Sequence, residues 1–476
     1  MACPGCSAQA GMGGNKGGAG DGCSLLMSAY ILAGLAMMLN IRLCYSSAPY
    51  ALIRFQLPEN LFSVFVRRMA SSLELWCLPG FIIADIMDLG LKFIYLGKGY
   101  TKDTDNGENL KTTITSDFKP PRQEKFGTII VPSIICQWLN FLTYVILFFV
   151  YRGGGEEGHL TRFYWIIAIS GVVFGISNPL VFAADYNYTA VYIAGENCFP
   201  ALTSFIHYLA TLMFGNRRKW NSDYLIVYID IVVAIIISFA AAVVWTVGYG
   251  YYKDGPSNIG TGDLKHIFTY KFDDTIKAHM AAPLLIVLVG MGLVYAIYPG
   301  IAPGMIVPFY LVDKIEMVLL IATIVPAVSV AMVNKFKYEY SPKYWGGWGA
   351  LPGYHVFDLV VPIMIILAAI FIYSLHYRES NLSHAIVNQP KMSTTLTIIF
   401  YMCSEISLAV GFAGMVGNAP EYTVIAQMVG AFLMVFLALY SEGYIIEYKS
   451  HDQAHWQTER MCYLYGYYQL NPDFLL

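Results

Sequence analysis

The sequence predicts an all-α polytopic membrane protein of about 11 transmembrane helices, six before a middle connector and five after it. Three observations carry that reading. Hydrophobic residues make up 57% of the 476 residues and charged residues only 13%, about half the charged share of a soluble domain. Mean hydropathy is +0.53. Eleven stretches of about 20 mainly apolar residues recur along the chain, each long enough to cross a hydrocarbon layer. The 29 basic and 32 acidic residues leave a net charge of −3, so the basic excess that nucleic acid demands is missing. A soluble enzyme, a disordered scaffold and a nucleic-acid binder are excluded, and the bilayer is the first partner.

Residues 1–24 are rich in Gly, Ala and Cys and read as a flexible tail without the basic start of a signal peptide. The first bundle, 25–249, holds apolar stretches near 25–46, 70–96, 125–151, 161–183, 187–214 and 222–249. A polar connector, 250–278, follows. The second bundle, 279–447, holds stretches near 279–301, 305–333, 356–376, 393–416 and 421–447. A polar, aromatic tail, 448–476, closes the chain. Lys and Arg divide almost evenly between the two sides, so the positive-inside rule sets no orientation. The nine cysteines are scattered apart from Cys3 and Cys6, and those inside apolar runs (Cys136, Cys198, Cys403) read as small hydrophobes.

Ionisable groups at membrane depth are costly and face a partner or a polar cavity. In the second stretch, Glu74, Asp85, Asp88 and Lys92 fall on one stripe of a helix at 100° per residue. That stripe reads as a polar pathway, with Glu74, Asp85 and Asp88 as pathway or coupling residues. Against it stands a helix with interfacial ends and an i,i+4 pair of Asp88 with Lys92. In the eighth stretch Tyr310, Asp313 and Glu316 share a face. Arg42, two residues after Asn40, could neutralise one of these carboxylates. Asp230, Asp358 and Glu442 are singletons, the first two near span ends. Glu405 is more central and stands out. His207 reads as a core histidine.

Gly171-x-x-x-Gly175 is a small-residue packing face, and Pro299, with Gly300 and Pro303, marks a bend. His451 and His455 have zinc-ligand spacing, but Asp452 replaces the glutamate of a metalloprotease helix and the segment lies outside every apolar stretch. No enzyme motif, cofactor or metal site is assigned.

The order of six spans, a connector and five spans resembles the equilibrative nucleoside transporters, with their major-facilitator-like arrangement. Several segments carry the resemblance. Gly34 to Phe55 is similar to that family's first helix, with Tyr50 and Arg54 at matching places. Tyr188-Thr189-Ala190 with Gly195-Glu196 looks like its fifth helix, Tyr298-Pro299 its seventh, and Leu311-Val312-Asp313 its eighth. The resemblance implies a facilitative carrier of nucleosides or nucleobases working by alternating access. Asp313 alone matches the family's substrate-contacting set; with Arg42, Asn40, Tyr310 and Glu316, taken from charge and helix spacing, it would form the substrate site, and Gly195 and Pro299 would serve packing and bending. The departures are specific: Ile41 stands where the family has a base-stacking tryptophan, Phe174 or Gly175 where it has a glutamine, and Met317 where it has an arginine. The chain also resembles the Tpr-related multi-spanning proteins of intracellular parasites in its Cys/Gly-rich start and the segment Asn40 to Tyr45. Those departures keep open a second expectation, a membrane protein with a degenerate transport site and a surface or partner-binding role. Uniport and proton symport both stay open, the plasma membrane is expected ahead of internal membranes, and the sequence sets no oligomeric state.

Overall fold

A computed structural model describes residues 24–37, 39, 43, 51, 54–56, 62–96, 124–155, 157–216, 219–250, 278–307, 309–336, 340–345, 352–377 and 379–450. Among them there is no strand. The first half comprises α1 (Ser24–Met37), α2 (Phe62–Leu96), α3 (Val131–Gly153), α4 (Glu157–Ala184), α5 (Thr189–Phe214) and α6 (Ser222–Gly250). The second comprises α7 (Ala281–Ile297), α8 (Phe309–Ala322), α9 (Ile324–Phe336), α10 (Val360–His376), the short α11 (Asn381–Val387), α12 (Pro390–Asn418) and α13 (Thr423–Ser450).

Local chemistry fixes several ends. A π-helical turn, Phe126–Ile130, leads into α3, whose first turn holds Pro132, where a missing N–H costs nothing. The helix stops at Gly154, whose φ of 53° is a left-handed conformation that glycine adopts freely. Asp185 is extended and accepts from the Asn187 N–H, capping the 3-10 turn Tyr186–Tyr188 that redirects the chain into α5. Ser380 caps α11 by accepting from the Ser383 N–H.

Seven described helices are long and apolar enough to cross a membrane: Phe126–Gly153, Leu160–Ala184, Tyr224–Tyr249, Ala278–Ile297, Tyr354–His376, Pro390–Asn418 and Pro420–Tyr448. Helices occupy all eleven expected stretches, but four fall short by length or composition. The region of α1 is described as a short apolar helix, and α5 contributes an apolar stretch of only Phe205–Phe214. The charges within α2 dilute its apolar run. The expected single span at 305–333 is two helices, broken at Thr323 and preceded by a turn over 298–307. The outward faces carry exposed Ile86, Leu212, Ile236, Ile366 and Phe436, side chains that water would reject and lipid accepts.

Within the first half α2 packs on α4, α1 on α5 and α6, and α3 on α4 and α6. In the second, α7 packs on α12, α13 and α10. The halves meet where α2 lies along α13 and α5 along α9. Glycines permit the tightest crossings. A β-carbon on Gly175 would stand 2.0 Å from the Cys77 carbonyl, and one on Gly171 would stand 2.6 Å from that of Leu73. Gly34 and Gly195 hold α1 against α5 in the same way, each 2.4 Å in this sense from a carbonyl of the other helix. Backbones in such contact gain dispersion energy that larger side chains would forbid.

Candidate functional site

Four helices, two from each half, bring acidic or phenolic side chains toward one region. Tyr295 of α7 lies within electrostatic reach of Glu74 on α2, Glu196 on α5 and Glu405 on α12. Glu196 and Glu405 also act on each other across the two halves. The Glu196 carboxyl lies beside Tyr192 one turn earlier, whose hydroxyl donates to Asn178 Oδ1 at 3.0 Å. The Oε1 atom of Glu196 is buried without a hydrogen-bond partner. Glu405 is buried near the middle of its helix. Carboxylates gathered in a low-dielectric interior call for a proton, a cation or a donor group from a bound molecule.

A second polar group lies at the end of the molecule where α2 and α4 finish and α5 and α13 begin. Lys92 pairs with Asp88 one turn earlier on α2, and both are buried. Its ammonium also donates to the Glu421 carbonyl, just before α13, at 2.7 Å. Lys343, from the segment between α9 and α10, reaches the Asn187 carbonyl at 3.5 Å. Lys125 and Asp185 face each other here, outside the helical spans. Burial pushes the Lys125 ammonium down to about 8, opposed by the charges of Asp185 and Asp88. Burial pushes the Asp185 carboxyl up to about 6, opposed by the Asn187 N–H and the Lys125 charge. Beside them Tyr30 stacks on Tyr188 with ring centres 4.9 Å apart and shares a 2.7 Å hydrogen bond with Tyr249. At the opposite end Ser71 Oγ of α2 donates to Glu442 Oε2 of α13 at 2.8 Å, joining the halves through side chains.

The residues expected from the sequence divide among these places. Glu74 joins the central group, whereas Asp85 and Asp88 lie farther along α2 with Lys92. Tyr310, Asp313 and Glu316 stand on α8, which packs against α12 and α5. Asn40 and Arg42 lie outside the described residues, as do His451 and His455. Gly171, Gly175 and Gly195 sit at helix crossings, and Pro299 stands in the turn after α7. His207 shares a 2.7 Å contact with Asp230, and His355 one of 2.7 Å with Asp358, which accounts for three of the isolated ionisable residues.

Sequence reasoning singled out Glu74 and Glu405 but not Glu196, Tyr192 or Tyr295 as partners. Glu196 sits next to Gly195, and that close crossing was the signal that its helix faces the interior. Among the described residues no group of three or more His, Cys, Asp and Glu is placed to hold a metal ion.

Helices of spanning length, lipid-compatible outer faces and buried charges between packed helices define an all-α polytopic membrane protein. No protein-family model and no curated protein matches the sequence. Among solved structures the chain is similar to the crystal structure of a bacterial homologue of the iron transporter ferroportin, in an outward-facing state with soaked iron. The TM-score is 0.38 and the identity 11%, over 90% of this chain and 100% of that one.

Proposed function

We propose that this protein is a membrane transporter that moves small polar solutes by alternating exposure of a site between its two halves. The observation that carries the reading is that Glu74, Glu196 and Glu405, on three helices from both halves, lie within electrostatic reach of Tyr295 on a fourth. Such a group can hold a polar molecule by charge-assisted hydrogen bonds. It changes its exposure whenever the halves rock against each other. The sequence resemblance and helix spacing add Asp313, with Tyr310 and Glu316 of α8, as further candidates for substrate contact.

Nucleosides or nucleobases are the substrates we favour. The support is the sequence resemblance, together with carboxylates suited to accept hydrogen bonds from ribose hydroxyls or base N–H groups. The test is uptake of radiolabelled adenosine and hypoxanthine into proteoliposomes, with Glu405→Gln and Asp313→Ala alongside. Saturable uptake lost in Glu405→Gln supports the central site, and its loss in Asp313→Ala extends the site to α8. No uptake from folded protein removes the nucleoside reading.

A further inference from the structure

Asp85 is 2% exposed, and neither of its carboxylate oxygens has a hydrogen-bond partner. An ionised carboxylate so placed is strongly disfavoured unless a positive charge joins it. The cation nearest along the helix, Lys92, is already engaged by Asp88 and by the Glu421 carbonyl. The trio Asp85, Asp88 and Lys92 is therefore one positive charge short.

The surroundings identify what could supply that charge. Two bonds fix α2 antiparallel to α13, Lys92 to Glu421 and Ser71 to Glu442. Twenty-one residues separate the anchors along each segment, so both anchors place Asp85 level with Met428, next to Gln427. At 100° per residue Asp85 projects about 20° from Lys92 and about 40° from Ser71, so it faces α13 as they do. Gln427, at that level, is 3% exposed, and its Oε1 is also buried without a partner. The charged groups around this point are Asp88 and Lys92 on α2, Glu421 before α13, and Lys125, which acts on Asp88 and Lys92 while facing Asp185. Oxygen donors and a single uncompensated charge suit a hard monovalent ion rather than a transition metal.

We infer that Asp85 and Gln427 form a site for one monovalent cation, a proton or a sodium ion, between α2 and α13. The ion neutralises Asp85 and leaves Lys92 engaged with Asp88 and the Glu421 carbonyl. Without it, Asp85 competes with Asp88 and Glu421 for the same ammonium, so occupancy is tied to the contact that joins the halves at that end. The site itself rests on the fold; its role as a coupling ion rests on the transporter reading.

The experiment is thermal unfolding of the purified full chain in detergent, which needs no transported substrate. Sodium chloride is compared with choline chloride at equal ionic strength, and the pair is repeated from pH 5 to 8, for wild type, Asp85→Asn and Gln427→Leu. Binding to the folded state raises Tm with ligand concentration. A sodium-specific rise identifies sodium, and a rise on acidification without sodium dependence identifies the proton. The sodium response must be lost in Asp85→Asn and weakened in Gln427→Leu; an acid response must shrink in both, the rise left in Asp85→Asn being the share of Asp185. The inference is overturned if Asp85→Asn keeps the wild-type response, or if wild type shows neither. Should Asp85→Asn fail to fold, an unweakened response in Gln427→Leu overturns it as well. Because no uptake is measured, a failure of the transporter reading leaves this result standing.

Discussion

The Lys92 ammonium on α2 donates to the Glu421 carbonyl at 2.7 Å while remaining paired with Asp88 on its own helix. One buried cation thus satisfies a carboxylate of the first half and a backbone carbonyl of the second. Removing one member of a buried pair leaves an uncompensated charge, at a cost of about 3–5 kcal/mol. Lys92→Met should lower Tm sharply, and Asp88→Asn added to it should restore most of the loss. Thermal unfolding of the two variants checks this; equal Tm values would refute the pairing argument.

Gly175 and Gly90 give an internal comparison. A β-carbon at Gly175 meets the Cys77 backbone at 2.0 Å, whereas one at Gly90 meets nothing within 4 Å. Gly175→Ala should destabilise by about 1–3 kcal/mol through overpacking. Gly90→Ala should stabilise by about 0.5–1 kcal/mol through helix propensity. Opposite shifts in Tm are the expected result.

Asp185 predicts a pH response. Its folded value, pushed up to about 6, lies above that of an unfolded aspartate, about 3.9. The folded state therefore takes up the proton first, and this group's stabilising contribution is complete below pH of about 3.9 and lost as pH rises through about 6. Asp185→Asn should reduce that slope between pH 4 and 6. A slope as steep as wild type in the variant would assign it to another group.

Glu405→Gln keeps the shape of the side chain and removes its charge. Uptake should fall at least about tenfold, the effect of losing roughly 1.4 kcal/mol of binding or barrier stabilisation, while yield and Tm stay near wild type. Proteoliposome uptake beside a unfolding curve separates loss of function from loss of fold.

Most of the helical frame is legible in the sequence, because a membrane forces every span to be apolar for about 20 residues. The break at Thr323 is not, since residues on both sides remain apolar and hydropathy does not register a turn. Charge spacing places Asp88 beside Lys92 on one helix, and their pairing follows local geometry. The meeting of Glu196, Glu405 and Tyr295 is illegible for the opposite reason. It depends on the rotation of three separate helices about their axes, which packing decides and local sequence does not. His207 and Asp230 show the same limit, as their contact spans two helices.

The antiparallel run of α2 along α13 has a mechanical consequence. Its two fastenings, at Lys92 and at Ser71, stand about 31 Å apart at 1.5 Å per residue, about the thickness of a hydrocarbon layer. Sliding one helix past the other would have to undo both at once. Tilting can open either fastening while the other serves as its fulcrum, so this seam favours a seesaw over a piston.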